Sequence, residues 1–133
     1  MDEGLSIAHG IPLAEETGIG ALTLGGYVRE ITARYASREM GCMRASGGSQ
    51  VVRWTYEDLW VNAEEVARAL VACGVGKGAR VGVLTTNRLE FFSAFFGAGL
   101  AGAIVCPLST FSTPAELAIL LQQSAVSVLL LRR

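Results

Sequence analysis

Three stretches of the chain carry residue types that handle anions or nucleotides, and what flanks each one decides its chemistry. Gly97 to Gly102, GAGLAG, is a literal G-x-G-x-x-G. Glycines at that spacing cradle a pyrophosphate only when they follow a strand and open a helix, because the helix N-terminus must meet the phosphates. Here the order is reversed. The glycines close a phenylalanine-rich helix and lead into a strand-like run, Ala103 to Pro107, which disfavours a dinucleotide site. Ser46 to Gln50, SGGSQ, has the composition of a phosphate loop, but a short strand, VVRW, follows it where a helix start is required, so it reads as a turn. Ser109 to Thr113 has the right setting, with a strand before it and a helix start after it. No lysine or arginine follows, however, and Thr113-Pro114-Ala115-Glu116 spells a capping box with proline at the first helical position. The hydroxyls and the acid are therefore expected to satisfy the helix start themselves.

Isolated reactive residues add little. His9 stands alone in a segment with nothing to orient it. Lys77, the only lysine, lies in GVGKG, Gly74 to Gly78, which reads as a helix stop and turn, so its ammonium is expected in solvent. Cys42, Cys73 and Cys106 are widely spaced, odd in number and without a C-x-x-C pair, and read as reduced core thiols. The residues thus nominate no catalytic, cofactor-binding or metal-binding side chain.

The elements that would position any site come next. At 133 residues the chain is long enough for one domain, and 51% hydrophobic against 17% charged residues places it far from disorder. So apolar a composition suggests that some surface is completed by a partner. Ten arginines and one lysine against twelve acids give a net charge of -1, spread along the chain, which disfavours nucleic-acid binding. The N-terminus carries early acids and no basic segment before an apolar run, so it does not read as a secretory signal, and cytoplasmic localisation is expected.

Residues 1–22 show no period and read as a tail or extended arm. From Thr23, apolar residues at Leu24, Tyr27, Val28, Ile31 and Tyr35 follow helical spacing. Thr55 and Asp58 form a near capping box for a helix whose apolar face runs Tyr56, Leu59, Trp60, Ala63, Val66, Ala67, Leu70 and Val71, up to Gly74. A strand over Ala79 to Thr85, a helix of phenylalanines, a strand over Ala103 to Pro107, a capped helix with Leu117, Leu120 and Leu121 toward the sheet, and a fully buried strand from Val126 to Leu131 complete the reading. Alternating strands and helices imply an α/β fold with a parallel sheet flanked by helices. The eighteen uncharged residues Phe91 to Leu108 approach the length of a membrane span, but their glycines, Pro107 and the strand-like AIVC favour a buried helix feeding a buried strand.

WTYEDL, then GVGKGARVGVLTTNRLEF, FFGAGLAGAIVCPLSTFSTPAEL and SAVSVLLL resemble, in order and spacing, the N-terminal part of the AMP-forming adenylating enzymes. Thr55, Tyr56 and Leu59 match that family's first core motif and Gly97 to Leu117 its second. PLSTFSTPAEL is closer to acyl-CoA synthetases, especially fatty-acid ligases, than to peptide-synthetase domains. The resemblance implies that residues 23–133 are the truncated N-terminal subdomain of an adenylate-forming domain. It implies ATP, magnesium and coenzyme A for the full-length enzyme, which activates a carboxylic acid as acyl-AMP with release of pyrophosphate and passes the acyl group to a thiol. The family's phosphate loop ending in Pro-Lys-Gly, its ribose-binding aspartate motif and its catalytic lysine have no counterpart here, so the 133 residues are expected to bind none of these cofactors and to be inactive alone. A non-catalytic module that self-associates or docks on a full-length homologue is the alternative.

Overall fold

Hydrogen bonding at the helix starts sets the frame of the molecule. A computed structural model describes residues 23–45 and 50–131, with Pro12 and Glu15 besides. The expected arm over residues 1–22, His9 and most of the expected turn at Ser46 to Gln50 lie outside the described residues. Helix α1, Leu24–Tyr35, starts where the Thr23 side chain accepts from the Gly26 amide. Helix α2, Tyr56–Ala72, starts at a reciprocal box: the Asp58 amide donates to Thr55 Oγ1 at 3.2 Å, and the Thr55 amide donates to Asp58 Oδ2 at 2.8 Å. It stops at Gly74, whose φ of 82° lies in the left-handed region that a glycine enters without a side-chain clash.

Between these helices lies an element that the sequence pattern hid. Strand β1, Glu39–Arg44, pairs antiparallel with β2, Val51–Thr55, in a two-stranded sheet with an irregularity between Glu39 and Gly41. EMGCMR lacks a clean alternation of apolar and polar residues, which is the signal that marks a strand.

The main sheet is three-stranded and parallel in the order β4-β3-β5, where β3 is Arg80–Leu84, β4 Ile104–Pro107 and β5 Val128–Leu131. Helix α3, Leu89–Leu100, joins β3 to β4, and helix α4, Pro114–Gln123, joins β4 to β5. The chain moves to one side of β3 and then crosses to the other. Right-handed crossovers therefore place α3 and α4 on opposite faces. On the α3 face, Val81 and Val83 are fully buried and Val81 joins Leu70, Val75 and Ala98 in the core. On the opposite face Gly82 leaves room for the side chains of Leu129, Val126 and Leu108, the first of which would come within 2.9 Å of an added Cβ.

Several expectations need correction. The last strand is shorter than expected and only half-buried, with Leu131 58% exposed, because β5 has no second neighbour among the described residues. Leu120 is exposed and only Leu117 and Leu121 are half-buried, since α4 contributes no buried residue. Val71, placed on the apolar face of α2, is likewise exposed. The cysteines are free, but Cys42 and Cys73 are exposed and Cys106 is half-buried, so none is a core thiol.

Candidate functional site

In an open parallel sheet, ligands sit outside the carboxyl ends of the strands where the order reverses, because neighbouring loops there diverge and leave a crevice. That place is the end of β3, between β4 and β5. Thr85 to Arg88 leave β3, and Leu108 to Thr113 leave β4.

The loop after β3 is turned inward on itself. Thr85 Oγ1 donates to the Thr86 carbonyl at 2.9 Å, and Arg88 Nε lies 3.3 Å from Glu90 Oε2. Ser93, one turn into α3, is buried and donates its hydroxyl to the Glu90 carbonyl at 2.9 Å. Beside these groups runs a groove of about 420 Å³ between α2, α3 and the outer side of β5, lined by Val66, Leu70, Ala94, Val128 and Leu130, with Thr85 and Glu90 at its polar end. Sequence reasoning missed this groove. Val66 and Leu70 were legible as one helix face, but the gap beside them depends on where β5 stands.

The loop after β4 has the setting of an anion cradle, and Thr113 and Glu116 satisfy its helix start themselves, as expected. The Glu116 amide donates to Thr113 Oγ1 at 3.3 Å, while Thr113 donates its amide to Glu116 Oε2 at 2.7 Å. That backbone hydrogen bond, reinforced by the Thr113 hydroxyl, holds the Glu116 carboxyl below the ordinary glutamate range. The carboxylate thus stands at the helix start where a phosphate would. The Ser109 hydroxyl accepts from the Phe111 amide at 3.2 Å. Phe111 itself is 97% exposed, over an open cup of about 440 Å³ shared with Ile119 and Leu120.

The other sequence motifs fall where packing needs them. Gly97 and Gly99 lie inside α3, and Gly102 follows its C-cap with φ of 75°. A Cβ on Gly97 would come within 2.7 Å of the Ala63 carbonyl and of Val66, so the first glycine of the motif is the contact through which α3 closes on α2. Lys77 is exposed in its turn. Asp58 is held below the ordinary aspartate range by the Thr55 amide and hydroxyl, again a capping effect. Among the described residues no group of three or more His, Cys, Asp or Glu side chains could hold a metal ion, and no buried side-chain polar atom lacks a partner. Their polar chemistry is directed at closing helix ends and loops.

The fold is a parallel sheet with helices on both faces, and the family model of the AMP-binding enzymes matches residues 31–133. The chain belongs to the AMP-binding enzyme family. Within that family its relatives include the acyl-CoA ligase sidI of Beauveria bassiana, 34% identical over 114 residues, which are 86% of this chain and 19% of the ligase. The long-chain-fatty-acid–CoA ligase FadD13 of Mycobacterium tuberculosis is 35% identical over 79 residues, covering 59% of this chain and 16% of that enzyme. The N-terminal domain of FACL13 from M. tuberculosis superposes with a TM-score of 0.72 at 28% identity, over 80% of this chain and 26% of that domain. The chain therefore spans about a fifth of the length of the ligases it matches. It corresponds to the N-terminal part of an AMP-forming acyl-CoA ligase, with the parallel sheet and flanking helices of that domain. No helix among the described residues is long and apolar enough to cross a membrane.

Proposed function

We propose that this chain supplies the opening layer of the activating domain of an acid–thiol ligase. The full enzyme would use ATP and magnesium to convert a carboxylic acid, of the fatty-acid class, to an acyl-adenylate, and would then transfer the acyl group to coenzyme A in the cytoplasm. The observation that carries this reading is the β3-α3-β4-α4-β5 unit. Both family motifs are spent on its packing, with Thr55 and Asp58 capping α2 and Gly97 seated on it. In this reading residues 23–131 hold the sheet on which the reacting groups are mounted, and the groups that stabilise charge on phosphates and the acyl carbonyl come from elsewhere in the enzyme. The purified 133-residue chain, incubated with ATP, magnesium and a panel of carboxylic acids, is expected to give no acid-dependent pyrophosphate exchange. Exchange with any acid would overturn the scaffold role.

A second reading is favoured by one observation, the outer edge of β5. Leu131 is 58% exposed there beside the apolar groove, and an open strand edge pairs readily with another strand. In that reading the chain docks on a full-length homologue. Intact mass of the protein from its source, together with the coding frame beyond Arg133, separates the two. A much larger mass with a Pro-Lys-Gly phosphate loop downstream supports the first, and a mass near 14.0 kDa supports the second.

A further inference from the structure

Helix α4 lies in the least charged stretch of the chain. No lysine or arginine stands between Arg88 and Arg132, and between Glu90 and Arg132 the sequence holds a single charged side chain, Glu116. That carboxylate is turned back onto its own helix start, where it accepts from the Thr113 amide at 2.7 Å and from the Thr113 hydroxyl at 3.0 Å. Around it no residue of α4 is buried, and Ile119 and Leu120 are 54% and 40% exposed.

This neutral patch carries both halves of a contact. Phe111 is the knob, 97% exposed. Its loop is tied down on either side: the Phe111 amide donates to the Ser109 hydroxyl at 3.2 Å, the Ser112 amide donates to the Ser109 carbonyl at 3.3 Å, and Thr113 is fixed in the capping box. The ring is thus presented on an ordered backbone, which lowers the cost of seating it. The hole is the open cup of about 440 Å³ bounded by Ser109, Ser112, Ile119 and Leu120. A cavity of about 150 Å³ already takes a benzene ring, so the cup has room for a phenyl group. Knob and hole are also offset along the helix. Phe111 precedes its start, and Leu120 lies roughly 9 Å beyond Pro114 along the axis. A two-fold axis across α4 reverses its direction, so the start of one helix meets the far end of the other and both rings are seated at once.

We infer that α4 and the Phe111 loop form an isologous contact between two copies of this chain, the Phe111 ring of each entering the cup beside Ile119 and Leu120 of the other. Neutrality selects this occupant. An anionic membrane or an acidic partner needs cations that the patch lacks, and a basic partner meets only a carboxylate already satisfied by its own cap. A second copy brings an equally uncharged surface and the ring that fills the cup. The contact is small, so the pairing is weak and concentration-dependent. It uses different residues from the outer edge of β5 and does not rest on the activity proposed above.

Sedimentation velocity of the 133-residue chain, and of the longer enzyme where its source makes one, tests the pairing. The weight-average mass is expected to rise from that of the monomer, 14.0 kDa for the 133 residues, toward twice that value over about 1–500 µM. Phe111→Asp and, separately, Ile119→Lys should each weaken the dimer by about a hundredfold or more. An equimolar mixture of the two should recover it, because one seat keeps its phenyl ring and the other pairs the new carboxylate with the new ammonium. Leu131→Lys, at the edge of β5, should leave the curve unchanged. A monomer at every concentration overturns the inference, as does a mixture that stays monomeric. A dimer that survives Phe111→Asp but is lost in Leu131→Lys overturns it by assigning the contact to β5. A monomer that co-sediments with phosphatidylcholine vesicles overturns it by giving the patch to a lipid surface.

Discussion

The two faces of the parallel sheet are covered by helices of similar length and are held by different physics. On the α3 face, Val81, Val83, Leu59, Ala63 and Ala98 are almost completely removed from water, and α3 approaches α2 closely enough that only glycine fits at position 97. Each large side chain buried in this way contributes about 1.5–3 kcal/mol. On the α4 face no helical residue is buried. Hydrogen bonds are prominent there: the capping box within α4 at Thr113, Arg80 Nη1 donating to the Ser124 carbonyl at 2.9 Å where the helix ends, and the Ser127 amide donating to the Arg80 carbonyl at 2.9 Å where β5 approaches β3. Complete burial marks one face, whereas the other combines half-buried side chains, Leu117 and Leu121 among them, with hydrogen bonds at the ends of its helix. Apolar packing carries no titrating group and is insensitive to pH, whereas a cap that includes a carboxylate is not.

The comparison breaks most visibly with a pair of leucines. Leu59→Ala, at 1% exposure, should cost about 2–5 kcal/mol in a urea titration, whereas Leu120→Ala, at 40% exposure, should stay within about 0.5 kcal/mol. Equal costs would show that α4 packs as α2 does. Next in size is Gly97→Ala. A better helix former gains about 1 kcal/mol in isolation, but the backbone oxygen of Ala63 cannot give way, so a net loss of about 1–3 kcal/mol is expected by the same titration.

The α4 face should respond to its caps. Thr113→Ala should remove about 0.5–2 kcal/mol, read as a lowered denaturation midpoint. Because the Glu116 carboxyl is depressed in the folded chain, its contribution is present above the ordinary glutamate range and is lost as pH falls through its lowered value. Glu116→Gln should therefore flatten that part of the acid limb of the stability profile, and an unaltered limb would remove the cap from the account. The smallest effect is expected at Ala125, between α4 and β5, whose φ of 48° places a side chain in the left-handed region. Ala125→Gly should raise stability by up to about 1 kcal/mol, measured as a higher unfolding midpoint.

Much of this division was legible before any coordinates. Thr55 with Asp58, and Thr113 with Pro114 and Glu116, announce helix starts through bonds that reach only three residues along the chain. Gly74 announces a stop for the same local reason. The apolar runs at β3 and in α3 are continuous because both elements are covered, and the alternation of strand and helix leads to a parallel sheet. The motif order of Thr55 to Leu59 and Gly97 to Leu117 pointed to the AMP-forming adenylating enzymes, and the match over residues 31–133 shows the AMP-binding enzyme family.

What the chain could not declare by itself are properties that need a partner distant in sequence. Strand β1 exists because β2 pairs with it, with the register Cys42 to Arg53 and Met43 to Val52, and EMGCMR has no pattern of its own to say so. Leu120, Val71 and Leu131 carry the same side-chain chemistry as buried neighbours, and only the way α4, α2 and β5 are set against the elements around them, β5 with no second neighbour among the described residues, leaves them in water. Cys42 and Cys73 are outside for the same reason. Helix caps and apolar periodicity arise from interactions within a few residues and so are written in the sequence. Burial is a relation between elements brought together from far apart, and only the tertiary structure decides it.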